Sequence, residues 1–143
     1  APASTDGSES PAYGFGRTLN AAMEEAVTRV TEALKAEGFG GLTTIDVQAT
    51  FHAKLGIEQA PYLILGACNP PLAHRAITAD PNAGLMLPCN VVVRALPTVD
   101  DQPQTRIEIV DPISMMEIIQ NPDLTSVATE ARARLLRVLD TLA

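Results

Sequence analysis

The chain has no tryptophan, two tyrosines and three phenylalanines among its 143 residues. Single-stranded nucleic acid is held by stacked rings, and duplexes by clustered cations. Ten Lys and Arg against seventeen Asp and Glu, a formal charge of −7, supply no basic surface. Nucleic acid is therefore not an expected partner. Long apolar runs are missing too: the longest, Tyr62 to Cys68, is about a third of the ~20 residues that cross a bilayer, so no membrane partner is expected. Cys68 and Cys89 are the only cysteines, too few for a disulfide scaffold. A domain of this length buries roughly 68–70% of its unfolded surface and needs no metal or disulfide to fold. There is no G-x-G-x-x-G, Walker-type loop, G-x-S-x-G or H-E-x-x-H, so dinucleotide, nucleoside triphosphate, serine-hydrolase and zincin chemistry have no motif behind them. The sequence names no cofactor.

What is present is the composition of one globule, with 46% hydrophobic and 19% charged residues and a mean hydropathy of +0.12. Residues 1–11, APASTDGSESP, are small, polar or Pro without apolar periodicity and read as a flexible arm; residues 12–143 read as a single domain. A cytoplasmic location is expected, with export the alternative if Ala1 follows a removed signal peptide.

From Tyr13 onward, strand and helix signals alternate. Tyr13–Leu19 is a short strand. Asn20 offers an N-cap, and Met23, Val27, Val30 and Leu34 recur at helical spacing up to Gly38. Ile45, Val47, Ala49, Phe51, Ala53 and Leu55 alternate with Thr44, Asp46, Gln48, Thr50, His52 and Lys54, which predicts a twelve-residue strand with one wet face. Tyr62–Ala67 is a third strand. Asn69-Pro70-Pro71 pairs a cap with prolines at the first helical positions, opening a short helix to about Ala79. Leu85–Leu96 reads as a fourth strand, its start marked by Pro88 as an edge or bulge. Pro97–Gln104 reads as a turn and Thr105–Val110 as a fifth strand. Asp111-Pro112 opens a Met-rich helix to about Gln120, and Leu124 to Leu142 carries a final amphipathic helix. The order β-α-β-β-α-β-β-α predicts a two-layer α+β fold: a largely antiparallel five-stranded sheet with helices packed on one face.

The candidate chemistry gathers around the cysteines. Cys68 immediately precedes a helix start, where free N–H groups and the dipole favour a thiolate; Cys89 sits on another strand with Asn90 beside it. Free cysteines are among the most buried residue types, so both also read as small apolar core residues, and a native disulfide between them is a further alternative if their strands lie close. His74, six residues after Cys68, lies on the flank of the same helix, placed either to activate or co-ligate a sulfur or to be solvated. Arg75 and Arg94, with the N–H groups after Asn69, are candidates to hold an anion. Metal binding is a weak candidate: Cys68, His74 and Cys89 contain no tight two-ligand spacing. Met86, Met115 and Met116 read as core filler, and His52 as part of the wet strand face.

The segments LILGACNPPLAHRAI (Leu63–Ile77) and GLMLPCNVVV (Gly84–Val93), with YGFGRTL near the start and VDPISMM at Asp111–Met116, resemble the family called domain of unknown function 302, from about Tyr13 to the C-terminus. The resemblance implies a compact α+β fold and a self-associating subunit, and it carries no established activity.

Three functions follow as expectations. The leading one is a small binding or accessory domain, a homodimer, whose site of Cys68, Asn69, His74, Arg75, Cys89 and Asn90 takes a small anion or polar metabolite. The second is a thiol-redox or soft-metal protein using Cys68, Cys89 and His74. The third is a structural homodimerisation module, in which Asp46 and Lys54 of the wet strand pair across a two-fold axis.

Overall fold

A computed structural model describes residues 9–142. Its strands are β1 (Gly14–Leu19), β2 (Gly41–Asp46), β3 (Tyr62–Cys68), β4 (Cys89–Val99) and β5 (Gln102–Val110); its helices are α1 (Met23–Ala36), α2 (Val47–Leu55), α3 (Pro70–Ala79), α4 (Pro112–Ile119) and α5 (Thr125–Thr141). One sheet forms in the order β1-β5-β4-β3-β2, every neighbouring pair antiparallel. The α+β class expected from the sequence is what the chain adopts.

Strand alternation sends Leu65, Ala67, Val91, Val93, Ile107 and Ile109 to one face, where all are buried. There they join Ala26, Val30 and Leu34 of α1 with Leu135, Val138 and Leu139 of α5 in one cluster. The opposite face carries Thr18, Arg106 and Glu108. The Arg106 guanidinium, though buried, reaches an oxygen from each nitrogen: Nε donates to Glu108 Oε1 (2.8 Å), Nη1 to Thr18 Oγ1 (3.1 Å) and Nη2 to Ser10 Oγ (2.9 Å). A buried charge is tolerable only when paired and hydrogen-bonded in this way. Of the arm expected over residues 1–11, residues 1–8 lie outside the described residues. Ser10 is tied to this ion pair, and the Pro11 carbonyl accepts from Gly14 N.

The twelve-residue strand is two elements. The chain leaves the sheet at Asp46, whose Oδ1 accepts from Ala49 N (2.9 Å) as an N-cap, and runs as α2 to Gly56, a left-handed residue (φ 64°) that closes it. A period-two pattern contains a period-four one: Val47, Phe51 and Leu55 recur at i+4, and the cap with its closing glycine decides for the helix. None of the α2 residues is buried, so local capping rather than core packing holds this turn. Consequently the expected wet strand face does not exist. Thr44 and Asp46 lie on the edge strand β2, Lys54 is on α2, and the Asp46–Lys54 strand pairing has no basis. His52, also on α2, is exposed and meets Glu58 at 3.0 Å.

Three other boundaries differ. Asn20 is not the cap of α1: the N-cap is Ala22, without a side-chain bond. Residues Pro81–Met86 form a 3-10 turn capped by Asp80, whose carboxylate accepts from Asn82 N, so β4 begins only at Cys89, after a cis Leu87–Pro88 bond. The expected Pro97–Gln104 turn shrinks to Asp100-Asp101, both at positive φ (50° and 61°), the geometry of a tight primed hairpin turn. Pro97 fits in β4 because it lies beyond the last β3 pairing at Arg94, next to a register shift.

Candidate functional site

The chain passes from β3 into α3 through Asn69, and that junction is fixed from both sides. Asn69 Oδ1 accepts from Leu72 N (3.2 Å), making it the N-cap expected from the sequence, and Nδ2 donates to the Glu37 carbonyl at the end of α1 (3.3 Å). Arg134 of α5 donates to the same carbonyl (3.0 Å). Gly38, at φ 89°, turns the chain directly against this cap; a Cβ there would stand 2.7 Å from Asn69 Nδ2. One buried amide thus joins the end of α1 to the start of α3, beside α5.

Next to this junction, between the Cys68/Cys89 end of the sheet and the helices, lies a cavity of about 90 Å³. Its walls come from Phe39, the β3 end (Ala67, Cys68, Asn69), α3 (Leu72, Ala73, Ala76), Ala83 and Met86 of the 3-10 turn, and Cys89. The far side is Met115, Met116 and Ile119 of α4 with Val127, Ala128 and Ala131 of α5. The sequence hollows this place by its choice of side chain: six alanines stand where larger residues would meet. The hollow is partly open rather than sealed, with Cys68, Met86, Met115 and Met116 only partly buried around it. The polar residue in the wall, Asn69, already has both its amide groups engaged.

The structure divides the expected site residues. Cys68, Asn69 and Cys89 line the cavity. His74 and Arg75 do not: both are exposed and line a shallow groove on the outer side of α3 with Asp123 and Ser126. Arg75 is occupied there by Glu130 (3.3 Å) and Ser126. At i+5 and i+6 from the cap, both point away from the turn that carries Cys68. Asn90 is exposed and pairs with Gly66, one residue along from Cys89 and hence on the opposite face of the sheet. No Cys68–His74–Cys89 metal triad assembles; among the described residues no three His, Cys, Asp or Glu side chains come together to hold a metal.

Cys68 and Cys89 are both free thiols at the same end of the sheet, with Cys89 buried opposite Ala67. Burial, with a smaller contribution from nearby Cys68, pushes the Cys89 thiol from its ordinary value near 9 up to about 11. Cys89 is therefore protonated at neutral pH, behaving as a small apolar wall residue rather than a nucleophile. The residues sequence reasoning missed are Met86, Met115 and Met116. All three line the same cavity, and the only hint was their presence in the GLMLPCNVVV and VDPISMM segments.

Residues 15–142 match the family described as "Domain of unknown function DUF302". The fold is similar to the crystal structure of an uncharacterized conserved DUF302 protein from Bacillus stearothermophilus: 28% identity, a TM-score of 0.80, and coverage of 93% of this chain and 100% of that one. No curated protein matches the sequence.

Proposed function

We propose, from the premise that this chain belongs to the DUF302 family, that it is a binding domain for a small apolar ligand held in the cavity between the sheet end and α3, α4 and α5. The observation that carries this reading is the alanine-lined apolar hollow itself, left where larger side chains would close it. Wall chemistry favours an apolar occupant over the anion or polar metabolite expected from the sequence. Arg75 and His74 lie elsewhere, and Asn69 has its hydrogen bonds made. Size sets the ligand class: an apolar cavity of about 150 Å³ takes benzene, so 90 Å³ accommodates roughly four heavy atoms, or the alkyl end of a larger molecule.

The experiment is a methyl-NMR titration of the reduced protein with n-butane. Saturable shifts confined to Ala76, Ala128, Ala131, Met86, Met115 and Met116 are expected. Shifts absent at saturation, or spread over the exposed methyls of Leu85 and Ile118, refute the reading.

A further inference from the structure

The sheet order β1-β5-β4-β3-β2 leaves two outer strands, and they differ in how they are protected. An edge strand presents N–H and C=O groups to which another strand can pair, and folds block this with prolines, bulges, lysines or charges turned toward the core. β1 uses the last device: Arg17 stands opposite the buried Ile107, on the face that α1 and α5 cover. β2 uses none. Its six residues, GLTTID, pair with β3 in one unbroken register, contain no proline and carry charge only at Asp46, whose carboxylate caps α2. Among the described residues nothing but β3 hydrogen-bonds to Gly41–Ile45, and α2, which follows β2, packs against β3. Apolar surface runs out to the same edge. Val92, Ile64 and Ile45 stand side by side on neighbouring strands, and Ile45, at the end of that row, is 55% exposed.

We propose that β2 is the edge through which two copies of this chain join, their β2 strands antiparallel about a two-fold axis at Thr43, so that two five-stranded sheets become one. Charge favours a second copy at this place. Each chain carries −7, so like copies repel over most of their surface, whereas residues 38–45, GFGGLTTI, have no charge. The pleat then selects the register. Directly opposed residues share a face of the sheet, so the core side stays continuous only when like-facing residues meet. Centring the pair on Thr44 would set Asp46 against the partner's Leu42, which packs on the core. Centring it on Thr43 sets Leu42 against Thr44 and Gly41 against Ile45, and leaves Asp46 past the last of these pairs. A Cβ at Gly41 would meet nothing within 4 Å, so the partner's exposed Ile45 has room beside it. The two Asp46 carboxylates then stand about 20 Å apart, six residues along the strands at ~3.4 Å each.

The test is sedimentation velocity of the reduced full chain over a concentration series, run on the parent, on Thr43→Lys, on Thr43→Glu and on an equimolar mixture of the two variants. A short strand pairing is a small interface, so the parent dimer is expected with a dissociation constant on the order of 100 µM. Thr43 is exposed, so both variants are expected to keep the parent's circular dichroism. Each variant alone sets like charges directly opposite at the axis, and its dissociation constant is expected to rise several-fold. The mixture is expected to regain the parent's association, because opposite charges then face each other. Hydrogen exchange reads the parent without any substitution: amide protection over Gly41–Ile45 is expected to rise with protein concentration. The proposal is overturned by a parent that stays monomeric up to about 1 mM, by association that neither variant weakens, by a mixture no better than its components, or by β2 protection that does not change with concentration.

Discussion

If the cavity is an unfilled part of the core, then filling it stabilises the protein, and Ala128→Leu is the sharpest way to do so. Ala128 is buried on α5 with its methyl in the cavity wall, so leucine extends the side chain by three carbons into space already present. Burying three methylene-sized groups at ~0.8 kcal/mol each yields about 2.4 kcal/mol. Ordering a leucine side chain subtracts ~0.5–1 kcal/mol, and the helix-propensity difference from alanine is small. A net gain of about 1.5 kcal/mol remains. Urea unfolding, read by circular dichroism, should show a higher midpoint with an unchanged slope, because the surface exposed on unfolding hardly alters. The same variant should lose n-butane binding. A midpoint lowered by 1 kcal/mol or more at constant slope would show that side chains, not space, lie opposite Ala128, and the argument from the void would fail.

Other consequences are equally direct. Asn69→Ala removes the α3 cap and the bond to the Glu37 carbonyl, and should cost ~1–2 kcal/mol in the same urea assay; Arg134 still serves that carbonyl, which keeps the loss at this level. Glu108→Ala leaves the buried Arg106 guanidinium without its carboxylate and should cost about 3 kcal/mol, among the largest losses for a single polar truncation in this chain. For Cys89, the folded state holds the thiol proton more tightly than the unfolded chain does. Its contribution is fully present below about pH 9 and is lost as pH rises from about 9 through about 11. Cys89→Ala should therefore show a shallower alkaline fall in stability than the parent, measured as urea midpoints across that range.

The elements that were legible in the sequence are those with chemical punctuation. Asn69-Pro70-Pro71 and Asp111-Pro112 each placed a cap and a proline together, and both helices start there. The buried strands β3 and β5 were visible as apolar runs or clean alternation because their register against neighbours enforces period two. Residues 47–55 were misread because none of them is buried: without burial to reveal a face, Asp46 and Gly56 decide the conformation, and a capping residue inside an alternating run looks like one more polar position. The antiparallel arrangement of β2 and β3 does not follow from a short connection either, since residues 47–61 are long enough to cross over. It follows from the hydrogen-bond register that pairs Gly41 with Cys68 and Asp46 with Leu63. For the site, Cys68 and Asn69 were found because they flank a helix start. His74 and Arg75 were misplaced because sequence proximity along a helix is not proximity in space: five residues past a cap, the helix has turned them to its outer side. A cavity made of alanines and methionines from five segments has no signature in any one of them.

The most direct test of the binding reading is a crystal structure of the reduced protein under xenon pressure. Xenon senses apolar voids without hydrogen-bonding or charge requirements. The account predicts one well-occupied xenon atom among Ala76, Met116 and Ala128. A cavity closed by the Met86, Met115 or Met116 side chains, with xenon absent or bound only at the surface, would contradict it.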